Sequence, residues 1–138
     1  MTLEQTISAI RTLDEKSMTA AQNRFANIAM PLGGLGLLQD AIVQLAGILG
    51  QSVPDISRRA AVVFCADNGV VAQGVTQTDS SVTAAVTRNL AAGRTSVCRM
   101  AQAAQCAVVP VDMGVRDFAP QPGVLARRIG NGTGDITQ

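Results

Sequence analysis

The chain of 138 residues has no histidine, no tryptophan and no tyrosine. Without histidine there is no Ser-His-Asp or Cys-His nucleophile pair, and the commonest metal ligand is missing. Cys65, Cys98 and Cys106 are too scattered to replace it as a zinc site, so no metal is expected. Their odd number and wide spacing read as free thiols in a reducing cytoplasm, and Cys65 reads as a small buried hydrophobe. Aromatic residues make up only 2% of the chain, which removes the stacking platforms used on RNA and single-stranded DNA. Eleven basic residues against ten acidic ones leave no charge excess for nucleic acid or an anionic membrane surface. No apolar run reaches the roughly 18 residues of a membrane span. The N-terminus, MTLEQTISAI, lacks the basic start and apolar block of a signal peptide. Charged residues are also scarce, at 15%, and mean hydropathy is +0.24. That apolar surplus predicts surface that another subunit, or more of the same chain, covers. The length suits one domain or part of a larger one.

What is present is organised around AVVFCADNGVVAQGV, residues 61–75. Residues 61–66 form a short apolar run, which reads as a buried parallel strand, although periodicity alone leaves a helix open. Asp67, Asn68 and Gly69 follow as turn formers. At the carboxyl end of a parallel strand they stand where open α/β sheets place ligands. An ordinary strand-ending turn accounts for the same residues equally well.

Before this stretch the pattern is helical. Leu3, Ile7 and Ile10 fall at helical spacing. Asp14 is an N-cap for a helix over residues 15–29, stopped by Pro31. Residues 30–36, MPLGGLG, read as a flexible turn, since no strand precedes them and the Lys of a phosphate loop is absent. Leu38, Ala41, Ile42, Leu45 and Ile48/Leu49 mark the apolar face of a helix over residues 37–49, with Gly50 as its stop. Residues 1–50 are therefore expected to be a helical region. A linker around Pro54 leads to an α/β part over residues 58–138.

After the strand, residues 76–80 form a polar loop, and Ser80 or Asp79 caps a helix reaching residue 92. Its inward residues are expected to be Val82, Ala85, Val86 and Leu90. Thr95 or Ser96 caps the next helix, with Val97, Met100 and Ala101 inward. Residues 107–111 are a second strand, and Pro110 argues for a sheet edge or a bulge. Both strands read as buried on two faces.

The two strands end alike. Ala66-Asp67-Asn68-Gly69-Val70 and Val111-Asp112-Met113-Gly114-Val115 share the form apolar, Asp, any residue, Gly, Val. A helical crossover between them makes the strands parallel and brings both Asp-x-Gly turns to one sheet edge. Turn-forming or capping roles for the carboxylates stay open, for Asp112 above all. Arg127 and Arg128 read either as an anion attractor or as a solvated pair. Residues 130–134, GNGTG, look like a weak anion loop.

Taken in order, Leu35-Gly36, Val43-Gln44-Leu45-Ala46-Gly47-Ile48, Cys65-Ala66-Asp67-Asn68-Gly69-Val70, Gly74-Val75, Val82-Thr83, Asn89, Gly93, Val111-Asp112-Met113-Gly114-Val115 and Gly132-Thr133-Gly134-Asp135-Ile136 form a set. This set resembles the N-terminal part of the nicotinate-nucleotide–dimethylbenzimidazole phosphoribosyltransferase family, enzymes of cobalamin lower-ligand assembly. The resemblance implies a Rossmann-like parallel sheet with flanking helices, preceded by a helical N-terminal region. It implies phosphoribose transfer from nicotinate mononucleotide to 5,6-dimethylbenzimidazole, giving α-ribazole 5′-phosphate and nicotinate. It implies a homodimer and no cofactor. It assigns part of the azole pocket to Asp67, Asn68, Gly69, Gln77, Thr78 and Val86, and together with the strand-end placement of the two turns it adds Asp112 to the substrate-binding set.

The sequence departs from the family in places. Residues 30–36 lack the basic and hydroxyl positions of the usual Lys-Pro-Pro-Gly-Ser-Leu-Gly. Gln39 replaces an acidic residue, Asn68 stands where many members have His, and Val86 falls where some have Gln. The chain also stops before the segment that bears the family's catalytic Glu, so no catalytic residue is expected here. The expected fold is then incomplete, self-associating and inactive alone. The rival reading is a non-catalytic, truncated paralogue that binds a small aromatic ligand or a partner subunit.

Overall fold

The computed structural model describes residues 2–31 and 33–138. Two compact units divide the chain, Met1–Ile56 and Ser57–Gln138.

The first unit is helical. Helix α1, Leu3–Ala9, opens with a capping box in which the Thr2 hydroxyl accepts from the Gln5 N–H and the Gln5 side chain accepts from the Thr2 N–H. Its apolar residues Leu3 and Ile7, with Ile10 beyond it, are all exposed. Helix α2, Glu15–Ala26, starts at Asp14, whose carboxylate accepts from the Lys16 N–H and the Ser17 hydroxyl. It ends three residues short of the expected Ala29. Asn27 turns its N–H to the Arg24 carbonyl and its side-chain amide to Asn23, which closes the helix well before Pro31. Leu32, in the Gly-rich turn that follows, lies outside the described residues.

Helix α3, Leu37–Leu49, has the expected bounds. Gly50 ends it in the left-handed conformation, φ 64°, with its N–H donated to the Ala46 carbonyl. The buried face differs from the apolar stripe. Val43, Ala46 and Gly47 are buried, whereas Leu38, Ile48 and Leu49 are exposed. The reason is close approach to α2. A Cβ at Gly47 would lie 2.7 Å from the Met18 side chain, so only small residues fit the contact formed with Ala21. The larger residues are left on the other side, and α3 is apolar nearly all round.

The second unit is an α/β layer on a parallel sheet. Strands β1 (Ala60–Ala66), β2 (Ala107–Gly114) and β3 (Leu125–Ala126) lie in the order β1-β2-β3, and both pairings are parallel. Register runs from Ala60↔Ala107 to Cys65↔Asp112, then slips at a bulge to Ala66↔Gly114. Between β1 and β2 come a 3₁₀ turn (Gly69–Gln73), helix α4 (Ser81–Ala91) and helix α5 (Ser96–Ala103).

Strand β2 is central rather than an edge. Ala107 N–H donates to the Arg59 carbonyl on the β1 side, while the Asp112 carbonyl accepts from Arg127 on the other. Alternation along the strand therefore points the Pro110 nitrogen away from β1, where β3 has not yet begun, and no ladder bond is lost. Strand β1 is covered on one face only. Cys65 is buried and Val63 half-buried, but Val62 and Phe64 on the opposite face are 52% and 70% exposed. The core gathers Cys65, Ala84, Leu90, Val115 and Phe118, with Val63, Val97 and Val108 against it.

Helix α4 sits rotated from the expected orientation. Ala84, Thr87 and Leu90 face the core, while Val82, Ala85 and Val86 do not. Thr87 can be buried because its hydroxyl donates to the Thr83 carbonyl at 2.8 Å. Asp79, not Ser80, provides the side-chain cap and accepts from the Ser81 N–H. On α5, Ala101 is buried and Val97 half-buried as expected, but Met100 is exposed. Thr95 caps α5 through Cys98 N–H. Thr95→Ala should destabilise this unit by about 1 kcal/mol. A shift of the urea midpoint is the readout, and Thr95→Ser should restore it. Among the described residues no helix is long and apolar enough to cross a membrane.

Candidate functional site

The rotation of α4 opens a cleft of about 380 Å³ at the carboxyl end of β1. Phe64 and Ala66 of β1, Val71 of the 3₁₀ turn, and Val82, Val86 and Leu90 of α4 form its apolar surface. The loop before α4 supplies polar groups, Thr76, Thr78, Asp79 and Ser80, and β1 ends in Asp67 and Asn68. An apolar slot with a few polar groups, at strand ends, suits a small, largely apolar ring with a polar edge.

Of the residues singled out by sequence, Asp67, Asn68, Thr78 and Val86 line this cleft. Gly69 adjoins it, buried in the turn. Gln77 is exposed and does not line it, although its neighbours Thr76 and Thr78 do. Asp112 does not line it either, because its carboxylate is enclosed elsewhere. One oxygen accepts from the Gly114 and Val115 N–H groups at 3.0 and 2.8 Å, and the other takes the Arg128 guanidinium at 3.0 Å. Sequence reasoning missed Val71 and Thr83, and it placed Phe64 and Val82 in the core. A usable signal was the excess of large apolar side chains on β1 and α4 over what one sheet face buries.

The paired turns turn out to be braces. The Asp67 carboxylate is 2% exposed and reaches across to accept the Arg116 N–H at 2.6 Å, just beyond the second turn. The glycines make room for a third segment, residues 130–134. A Cβ on Gly69 would lie 2.6 Å from the Gly134 carbonyl, and one on Gly114 would lie 2.9 Å from the Gly130 oxygen. Thr133 pins that segment, its N–H donated to the Asp67 carbonyl and its hydroxyl accepting from Gly69 N–H. The GNGTG stretch is thus a strap across both turns. Arg128 is neither a solvated charge nor an anion attractor, since it also donates to the Val115 and Phe118 carbonyls. Arg127 donates to the neighbouring Ala126 carbonyl.

The electrostatics follow from these contacts. Burial is the largest influence on Asp112 and favours its neutral form. The Val115 N–H, the Arg128 guanidinium and the Gly114 N–H together outweigh it and hold the carboxyl below the ordinary range. At the cleft mouth the Ser81 hydroxyl, and then its N–H, lower the Asp79 carboxyl. Both carboxylates that line the cleft are therefore engaged, Asp67 by Arg116 N–H and Asp79 by Ser81. The cleft has the shape and lining to hold and orient a ring, and each of its lining carboxylates already accepts a hydrogen bond from the protein on one oxygen.

A family model described as phosphoribosyltransferase matches residues 10–138. The chain belongs to this family. The nicotinate-nucleotide–dimethylbenzimidazole phosphoribosyltransferase of Ruminiclostridium cellulolyticum is 42% identical over 136 residues, covering 99% of this chain and 39% of that protein. The protein of the same name from Acetivibrio thermocellus is 38% identical with the same coverage. Among solved structures, CobT from Thermus thermophilus superposes with a TM-score of 0.78 at 34% identity, covering 88% of this chain and 37% of that one. The chain thus spans about 39% of the length of the curated relatives it matches. The α/β fold with a parallel sheet agrees with these family structures.

Proposed function

We propose that this chain is the azole-binding portion of an enzyme that moves phosphoribose from nicotinate mononucleotide to 5,6-dimethylbenzimidazole. The observation that carries this reading is the apolar cleft at the end of β1, within a chain aligned along 99% of its length with relatives of that name. Its ring would lie against Val71, Val82 and Val86, with Asn68 and Thr78 at the polar side. Gly69 then adjoins the ring site, Asp112 braces the neighbouring turn outside it, and Gln77 lies outside it as well. The proton acceptor for the azole belongs to a part of the family's fold that this chain does not span. The proposal includes homodimers, which the exposed apolar faces of α1 and α3 would favour, and a cytoplasmic setting that suits three free thiols.

The test is a transferase assay with nicotinate mononucleotide and 5,6-dimethylbenzimidazole. The chain alone should give no α-ribazole 5′-phosphate above background. Adding the remaining C-terminal portion of the Ruminiclostridium relative should restore product. Turnover by the chain alone would overturn the assignment of the proton acceptor to another segment. Absence of dimethylbenzimidazole binding by calorimetry would overturn the azole reading itself.

A further inference from the structure

Thr83 lies in the first turn of α4, on the wall of the cleft and half-buried. A threonine inside a helix ordinarily satisfies its hydroxyl on the carbonyl four residues earlier. Thr87 does so, donating to the Thr83 carbonyl at 2.8 Å. For Thr83 the corresponding carbonyl is that of Asp79, which precedes the helix and accepts from the Val82 N–H instead. The Thr83 backbone is fully employed, its N–H donated to the Ser80 carbonyl and its own carbonyl taken by Thr87. Its hydroxyl has no partner among the described residues. No enclosed side-chain oxygen or nitrogen among them lacks a partner, so this hydroxyl must open on accessible space. The space beside it is the cleft.

The surroundings give that hydroxyl a role. Val86 lies one helical turn on, Val82 is adjacent, and Val71 completes an apolar wall. Asn68 and Thr78 are exposed at the rim, where water competes for them, and Ser80, half-buried like Thr83, stands ahead of the helix at its N-cap rather than between Val82 and Val86. A hydrogen bond made deeper in an apolar slot discriminates more sharply, because a ligand without the matching group leaves the hydroxyl unpaired and dry.

We propose that Thr83 is a specificity-determining residue of the cleft, its hydroxyl hydrogen-bonding the polar ring edge of a bound aromatic heterocycle. The inference rests on the azole reading of the cleft. It adds that selection between nitrogen heterocycles and pure hydrocarbons of the same shape is made on α4. A hydroxyl both donates and accepts, so either a ring N–H or a bare ring nitrogen satisfies it.

The experiment compares the full chain with its Thr83→Val and Thr83→Ser variants. Binding of benzimidazole and of indane, a bicyclic hydrocarbon of similar shape, is measured by calorimetry. Circular dichroism melts confirm that each variant is folded. Thr83→Val should weaken benzimidazole about 3- to 10-fold, the effect of losing one neutral hydrogen bond. Indane should bind equally to the wild type and Thr83→Val, and Thr83→Ser should keep most of the benzimidazole affinity. Equal loss for both ligands, or no loss for either, would overturn the role of Thr83 while leaving the azole cleft standing. Failure of the wild-type chain to bind benzimidazole at all would overturn the azole reading, and this inference with it.

Discussion

Asp112→Ala should lower the unfolding free energy of the α/β unit by about 3 kcal/mol, the cost of breaking one side of a buried ion pair. Three groups lose their acceptor together, the Gly114 N–H, the Val115 N–H and the Arg128 guanidinium. The Arg128 side chain is 37% exposed against 5% for Asp112, so water recovers part of the arginine's loss. The two backbone groups recover less, because Val115 is wholly buried. Asp112→Asn should fall between, since it keeps the oxygen for the turn but sets an amide donor against Arg128. Urea unfolding followed by circular dichroism measures all three proteins. A shift below about 0.5 kcal/mol for Asp112→Ala would show that the brace contributes little.

The same contact dictates an acid sensitivity. The folded-state pKa of Asp112 is depressed, so its stabilisation is fully present above the carboxyl's unfolded value and fades as pH falls through the folded value. The wild type should therefore lose stability on acidification more steeply than Asp112→Asn, which has no proton to take up at that position. Parallel acid curves for the two would remove Asp112 as the cause.

The second large effect is expected from the smallest side-chain change. Gly69→Ala should cost about 2–3 kcal/mol, in the range of overpacking a closed contact. The added methyl would lie 2.6 Å from the Gly134 carbonyl carbon and oxygen and 2.7 Å from the Asp135 nitrogen. All of these are backbone atoms, which cannot swing aside like the end of a side chain. The strap must lift, and with it goes the bond from Gly69 N–H to the Thr133 hydroxyl. Gly134→Ala, where a Cβ meets nothing within 4 Å, is the matched control and should be near neutral. If the two alanine variants melt alike, contact at Gly69 is not what secures the strap.

The elements that local chemistry dictates are legible in the sequence. Gly50 had to end α3, Asp14 had to start α2, and two apolar runs joined by helices had to lie parallel. Helix faces were less legible, for one physical reason seen twice. Hydrophobic periodicity selects the largest apolar side chains, but on α3 and α4 the contact faces use small residues, Ala46 and Gly47 or Ala84 and Thr87. The larger Val82 and Val86 were left to wall the cleft. The repeated Asp-x-Gly turns were visible as a pattern, yet their partners lie far along the chain, in Arg116, Arg128 and Thr133. No local window relates a glycine to a backbone that crosses it from such a distance.

That distance gives the strap a meaning in time. Gly69 and Thr133 are 64 residues apart, so the turn flooring the cleft leaves the ribosome well before the segment that locks it. At ordinary translation rates the interval is roughly 3–13 s. During it, the end of β1 exposes an unsecured Asp67 carbonyl and Gly69 N–H beside the outward-facing Phe64. For that interval a nascent chain of this protein carries its turn unlocked beside the very place where the finished one forms the cleft.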